Sequence, residues 1–224
     1  MKFEQWLLET EVGRQLWDVE GQLVRNLVKN RRPGRLLQIG GLPLLSFSDH
    51  ALTHYIHQHD HLGYFSPGHS VCAQASHLPL RDESLSCLVC PHTHELYDES
   101  HQYALFKEWS RVLKPDGYML ILGVNLMGYW TLKRLISHNS LKWAPRIWSL
   151  YQLEQTAKKA DLQVVDIQYF VARAVYNRYG LGEIGHSLAK LKMVRRFSPC
   201  YAVMLTRRDY APVWGDAVMF DQMG

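Results

Sequence analysis

Between Leu36 and Asn125 short apolar runs alternate with stretches of helical period, and this alternation restricts the fold more than any other feature of the 224 residues. Leu36-Leu37-Gln38-Ile39 is an apolar strand stopped by Gly40-Gly41. Leu85 to Cys90 reads as a buried strand, and Tyr118-Met119-Leu120-Ile121-Leu122 is the strongest strand pattern in the chain. Leu62 to Phe65 and Val71 to Ala75 are weaker strand candidates. Helices are expected over residues 10–30, where Leu16, Val19, Leu23 and Leu27 recur before Arg31-Arg32-Pro33-Gly34. A second is expected from a Ser48-Asp49 cap to about Gln58. A third starts at Asp98 or Ser100, carries Leu105, Trp109 and Val112, and ends in a Lys114-Pro115-Asp116-Gly117 turn. Strands separated in this way predict a parallel sheet with helices on both faces.

After Asn125 the pattern changes. Ser149 and Gln152 form a capping box for a helix over 150–160. Leu162 to Val171 is a long strand with Val165, Ile167, Tyr169 and Val171 on one face, 184–194 reads as a helix, and Cys200 to Thr206 is a final strand. Two late strands predict an antiparallel pair at one edge of the sheet. The length suits one domain, with a helical segment over 1–33, one half over 34–125 and a second half over 126–224.

Charge is uneven. Residues 1–125 hold 11 Lys/Arg and 14 Asp/Glu, a net of −3, and residues 126–224 hold 14 and 7, a net of +7. The basic half interleaves aromatics with cations at Tyr129, Trp130, Lys133, Arg134, Lys142, Trp143, Arg146 and Trp148. That pattern suits RNA bases or a lipid surface, and equally a solvated face with core tryptophans, so nucleic acid is open but not favoured. Cys87 and Cys90 sit three apart on a strand, face opposite ways, and are expected as free thiols of a reducing, cytoplasmic compartment. His54, His57, His59 and His61 straddle a helix end and a loop, so no metal site is expected. No apolar run reaches the roughly 18 residues of a membrane span.

Leu78-Pro79-Leu80-Arg81-Asp82-Glu83-Ser84-Leu85, followed by Arg111-Val112-Leu113-Lys114-Pro115-Asp116-Gly117 and the strand to Asn125, resembles the class I methyltransferases dependent on S-adenosylmethionine (SAM), in their type 11 branch. Pro91-His92-Thr93-His94-Glu95 and the Trp130 to Leu135 stretch are similar to a divergent proteobacterial subgroup of methyltransferase-like proteins. The resemblance implies a Rossmann-like three-layer α/β sandwich with a mostly parallel seven-stranded sheet and an antiparallel last strand. It also implies SAM as cofactor and a methyl acceptor whose identity it leaves open, covered by the segment after the fifth strand.

The resemblance sets the cofactor around Gln38, Gly40, Gly41, Phe65, Gln74, Ala75, Ser76, Pro91 and His92. The family has an acid and then GxGxG where this chain has Gln38-Ile39-Gly40-Gly41-Leu42-Pro43-Leu44. Gln38 replaces the acid that balances the ammonium group, Phe65 stands at the expected tip of strand two, and Gln74 takes the place of an adenine-binding Asp. His92, His94 and Glu95 follow a strand end where ligands of open α/β sheets gather, and are the titratable candidates for catalysis. Asn125, Tyr129 and Trp130 are the substrate-side candidates. The competing reading is an inactive methyltransferase-like scaffold that binds a protein, RNA or anionic partner.

Overall fold

The computed structural model describes residues 3–45, 53–57, 70–128, 147–170 and 198–207. In chain order these are α1 (Phe3–Glu9), α2 (Glu11–Arg31), β1 (Leu36–Ile39), β2 (Thr53–His57), β3 (Ser70–Cys72), β4 (Leu85–Pro91), a 3-10 turn (Thr93–Leu96), α3 (Glu99–Val112), β5 (Leu113–Val124), α4 (Leu150–Lys159), β6 (Leu162–Phe170) and β7 (Cys200–Arg207). The seven strands form one sheet in the order β3-β2-β1-β4-β5-β7-β6. Pairing is parallel from β3 through β5, and β7 runs antiparallel to both β5 and β6. The expected architecture is therefore present, and the reversal of chain order between β1 and β4 opens a crevice beyond their carboxyl ends.

Two cores clothe the sheet. On one face α1 and α2 pack through Leu7, Leu16, Leu23, Val24 and Leu27 onto Leu36, Cys87, Val89, Leu120 and Leu122. On the other, α3 and α4 bring Leu105, Phe106, Trp109, Leu153 and Ala157 onto Leu37, Leu88, Cys90, Met119 and Ile121. Cys87 and Cys90 thus fall in opposite cores as free thiols. The caps follow the sequence: the Thr10 hydroxyl accepts from the Gly13 N–H at 2.9 Å, Asp98 caps α3, and Ser149 with Gln152 closes the expected box on α4. In the Lys114–Gly117 stretch the register jumps, Leu113 pairing with Leu85 and Tyr118 with Cys87, so the expected turn survives as a bulge inside β5.

One expectation fails. Residues 53–57 are a strand beside β1, not the end of a helix. Thr53-His54-Tyr55-Ile56-His57 is β-branched and aromatic, and pairing with the buried β1 outweighs the weak helical spacing. The helical face expected to carry His54 and His57 is therefore absent. The strand beside β1 ends at His57, and Phe65 lies outside the described residues. The Leu62–Phe65 strand, the 184–194 helix, Tyr129 and Trp130 lie outside the described residues. On β6, Val165 and Ile167 occupy the more exposed face, at 40% and 39%.

Candidate functional site at the strand tips

The turn after β1 is built by Gln38. Its buried amide donates from Nε2 to the carbonyls of Gly40 at 2.9 Å and Leu42 at 2.8 Å, and its Oε1 accepts from the Leu44 N–H at 3.1 Å. The side chain that was to face a cofactor therefore holds its own loop, with its donors and acceptor engaged. Two further anchors come from α2: Trp17 Nε1 donates to the Pro43 carbonyl at 3.1 Å and Arg25 to that of Leu44 at 3.3 Å. Leu42 and Leu44 turn into the α2-side core.

Gly40 and Gly41 have φ of +73° and +65°, where a side chain is strained. They also press on the exit of β4. A Cβ on Gly40 would lie 2.6 Å from Thr93 Oγ1, and one on Gly41 2.9 Å from Pro91 Cγ. Thr93 Oγ1 in turn donates to the Ile39 carbonyl at 2.5 Å. Gly40→Ala is expected to lower stability by about 2 kcal/mol, from the left-handed strain and the contact together. Urea unfolding measures it, and a loss under ~0.5 kcal/mol would contradict this close approach.

Beyond Pro91 the chain kinks through His92, at φ +55°, into the 3-10 turn. The His92 ring turns toward α1 and α2. Its Nε2 lies 2.8 Å from Glu20 Oε1, its Nδ1 lies 3.1 Å from Glu95 Oε2, and Phe3 stands edge-on at 4.5 Å. The other Glu95 oxygen accepts the Val124 N–H at 2.5 Å. All three side chains are buried. Burial alone would push the imidazolium down, but the two carboxylates more than reverse this and raise His92 to about 10. His94 is also buried, with Nε2 2.9 Å from the Tyr201 hydroxyl and Trp148 edge-on at 5.4 Å. Burial pushes it down to about 4, and its Nδ1 has no hydrogen-bond partner among the described residues.

These shifts predict a stability maximum. An unfolded His titrates near 6.5. The raised His92 stabilises fully below that value, and the contribution is lost as pH rises toward about 10. The lowered His94 opposes folding as pH falls from about 6.5 toward 4, because only the unfolded chain takes up the proton. Urea midpoints from pH 4.5 to 10 should peak near neutrality, and a profile flat between pH 6.5 and 9.5 would exclude the charged pairing of His92.

The three catalytic candidates are brought together, but two are engaged. His92 faces a carboxylate oxygen with each ring nitrogen and Glu95 bonds through both oxygens, so both side chains are engaged within this cluster. Asn125 is likewise occupied. Its Nδ2 donates to the Ser198 carbonyl at 2.8 Å and its Oδ1 accepts from Met127 N at 3.1 Å, joining the exit of β5 to the entrance of β7. Gln74 is exposed, Ser76 half-buried, and the Ala75 carbonyl is held by Trp109 Nε1 at 3.1 Å. Glu20 was not anticipated. Its signal was an acid inside the apolar stripe Leu16, Leu23, Val24, Leu27 of α2, where an unpaired carboxylate is expensive.

The sheet order, the reversed β7 and the glycine turn at the tip of β1 define a class I methyltransferase fold. The model of a methyltransferase-domain family of type 11 matches residues 47–121, starting just beyond the glycine turn. No curated protein sequence matches the chain. Among solved structures, a SAM-dependent methyltransferase from Archaeoglobus fulgidus is 16% identical, with 84% of this chain and 94% of that one covered at a TM-score of 0.57. A SAM-dependent methyltransferase from Thermotoga maritima, described as a possible histamine N-methyltransferase, is 17% identical, with 92% and 98% covered and a TM-score of 0.57. The cyclase SpnF is 17% identical, with 82% and 80% covered and a TM-score of 0.54. Likeness at such identity is likeness of fold. Together with the matched stretch it gives the chain a class I methyltransferase fold, with likeness to the type 11 methyltransferase domain over residues 47–121.

Proposed function

We propose that the chain is a SAM-dependent methyltransferase of one domain, with the methyl donor at the tips of β1 and β4. The observation that carries the reading is the partly exposed Gly40-Gly41 turn, locked by Gln38 and seated beside Pro91 at the switch point of this sheet. The described half of the cradle fits the group. The main chain of Gly40 and Gly41 would take its amino-acid end, and Gln74 and Ser76, on the segment held by Trp109, would take its base. The bound group supplies an electrophilic methyl. The protein aligns an acceptor with it and excludes water, which needs no dedicated nucleophile of its own.

His94 is the remaining candidate for a proton acceptor, since its Nδ1 has no hydrogen-bond partner among the described residues and burial keeps it neutral. The acceptor would approach past Asn125, where Leu126 and Met127 are 41% and 66% exposed, and Tyr129 and Trp130 follow in sequence. Among the described residues no helix is long and apolar enough to cross a membrane. Four free thiols, three of them buried, suit the cytoplasm.

One observation favours a second reading, a fold that no longer transfers methyl groups. Gln38 stands where an acid is expected, and its amide is engaged within the loop. Calorimetry with SAM and S-adenosylhomocysteine separates the two. Binding of both, with transfer of label from SAM to an acceptor in lysate, supports the enzyme. No binding by folded protein at millimolar ligand leaves the scaffold.

A further inference from the structure

We infer that the buried Glu20–His92–Glu95 group supplies negative charge that the sulfonium of the bound cofactor meets beside the glycine turn. This rests on the function proposed above and adds the source of charge complementarity.

Position comes first. The group lies behind the turn and is tied to it through its chain neighbours. Thr93, next to His92, abuts Gly40, and Pro91 on the other side abuts Gly41. On α2, Gly21 follows Glu20, and a Cβ there would come within 3.3 Å of the Leu44 carbonyl, which also accepts from Arg25. The loop thus rests on residues that flank the charges.

The sign of the charge follows from counting protons. A neutral imidazole carries one N–H and one lone pair, and here both ring nitrogens face carboxylate oxygens, at 2.8 and 3.1 Å. One added proton removes the repulsion of lone pair against lone pair. Wherever that proton resides, two carboxylates and one proton leave a single negative charge. The remaining titratable neighbours among the described residues do not cancel it. Burial pushes the Cys200 thiol up and His94 down, so both are neutral near pH 7. Arg25 is exposed and screened by water. Glu20, His92 and Glu95 are 1%, 4% and 2% exposed, so their field reaches the turn with little screening. Gln38 is neutral and contributes none.

The discriminating ligands are SAM, whose sulfur is cationic, and S-adenosylhomocysteine, whose sulfur is neutral. Calorimetry at pH 7 on the full chain compares both. Glu20→Gln together with Glu95→Gln keeps the size, leaves one amide oxygen to accept the ring N–H and the other to accept from Val124, lets the second amide donate to the ring lone pair, and removes the charge. It should weaken SAM about tenfold and S-adenosylhomocysteine much less, so that their affinity ratio falls at least threefold. Glu20→Asp retains the charge and should retain the ratio. If this double variant does not fold, Glu20→Leu with His92→Leu and Glu95→Gln, which also leaves no charge in the group, should give the same fall. A merely structural role would weaken both ligands alike, and an unchanged ratio overturns the inference. Native protein that binds neither ligand overturns the proposed function, and this inference with it.

Discussion

Replacing His92 by alanine will lower the free energy of unfolding by about 3–5 kcal/mol, the range for removing one partner from a buried ionic group. The loss arises because Glu20 and Glu95, 1% and 2% exposed, then face an apolar space with no cation between them. One of them must take up a proton, and the edge contact with Phe3 goes as well. Removing the whole group behaves differently. Glu20→Leu with His92→Leu and Glu95→Gln leaves no buried charge and keeps an acceptor for the Val124 N–H. Most of the stability should return, because desolvation of the ions offsets much of their attraction. Urea denaturation of both variants checks this. A His92→Ala loss below ~1 kcal/mol would mean that water reaches the carboxylates.

Trp109→Ala should cost a similar ~3–5 kcal/mol, the range for truncating a large aromatic in a packed core. The indole is fully buried, lies 5.2 Å from the Phe106 ring, and donates to the Ala75 carbonyl at 3.1 Å. Its removal empties a cavity and leaves that carbonyl without the bond. Trp109→Phe keeps most of the ring and should cost about 1–2 kcal/mol, mainly the hydrogen bond and the missing volume. Because Ala75 lies in the segment assigned to the base of the cofactor, the phenylalanine variant should also bind S-adenosylhomocysteine more weakly while remaining folded. Thermal unfolding and calorimetry read the two effects separately. Equal stability of Trp109→Phe and native protein would remove the indole N–H from this account.

Arg111 shows why the stretch resembling the family is so legible. Its guanidinium donates to the carbonyls of Leu80 at 2.9 Å and Leu78 at 3.2 Å, to Asp82 at 2.5 Å and to Glu108 at 2.6 Å. One planar fork thereby gathers the Leu78–Asp82 loop onto α3. The short motifs were readable because each is a local solution: a loop, a helix end and a strand that need one another within about forty residues. That block is structural, and it marks the fold more clearly than it marks the chemistry.

The candidate site was less legible. His92, His94 and Glu95 are adjacent in sequence, and their place after β4 was foreseeable. Which way each ring turns was not, because Glu20 lies 72 positions away and Tyr201 lies 107 away. Gln38 could be recognised as a departure from an acid, but not as the brace of its own turn. Thr53–His57 was read as part of a helix because the segment is short and pairs beside β1, a contact that no window of local periodicity contains.

By itself, then, the amino-acid order determined the alternation of elements, the caps at Thr10, Asp98 and Ser149, the positive-φ turn at Gly40-Gly41 and the antiparallel pair that ends the sheet. These depend on periodicity and backbone geometry over a few residues. Only the tertiary structure decided which buried groups carry charge. That follows from burial and from partners distant in sequence, which together engage His92 with carboxylates and leave His94 neutral.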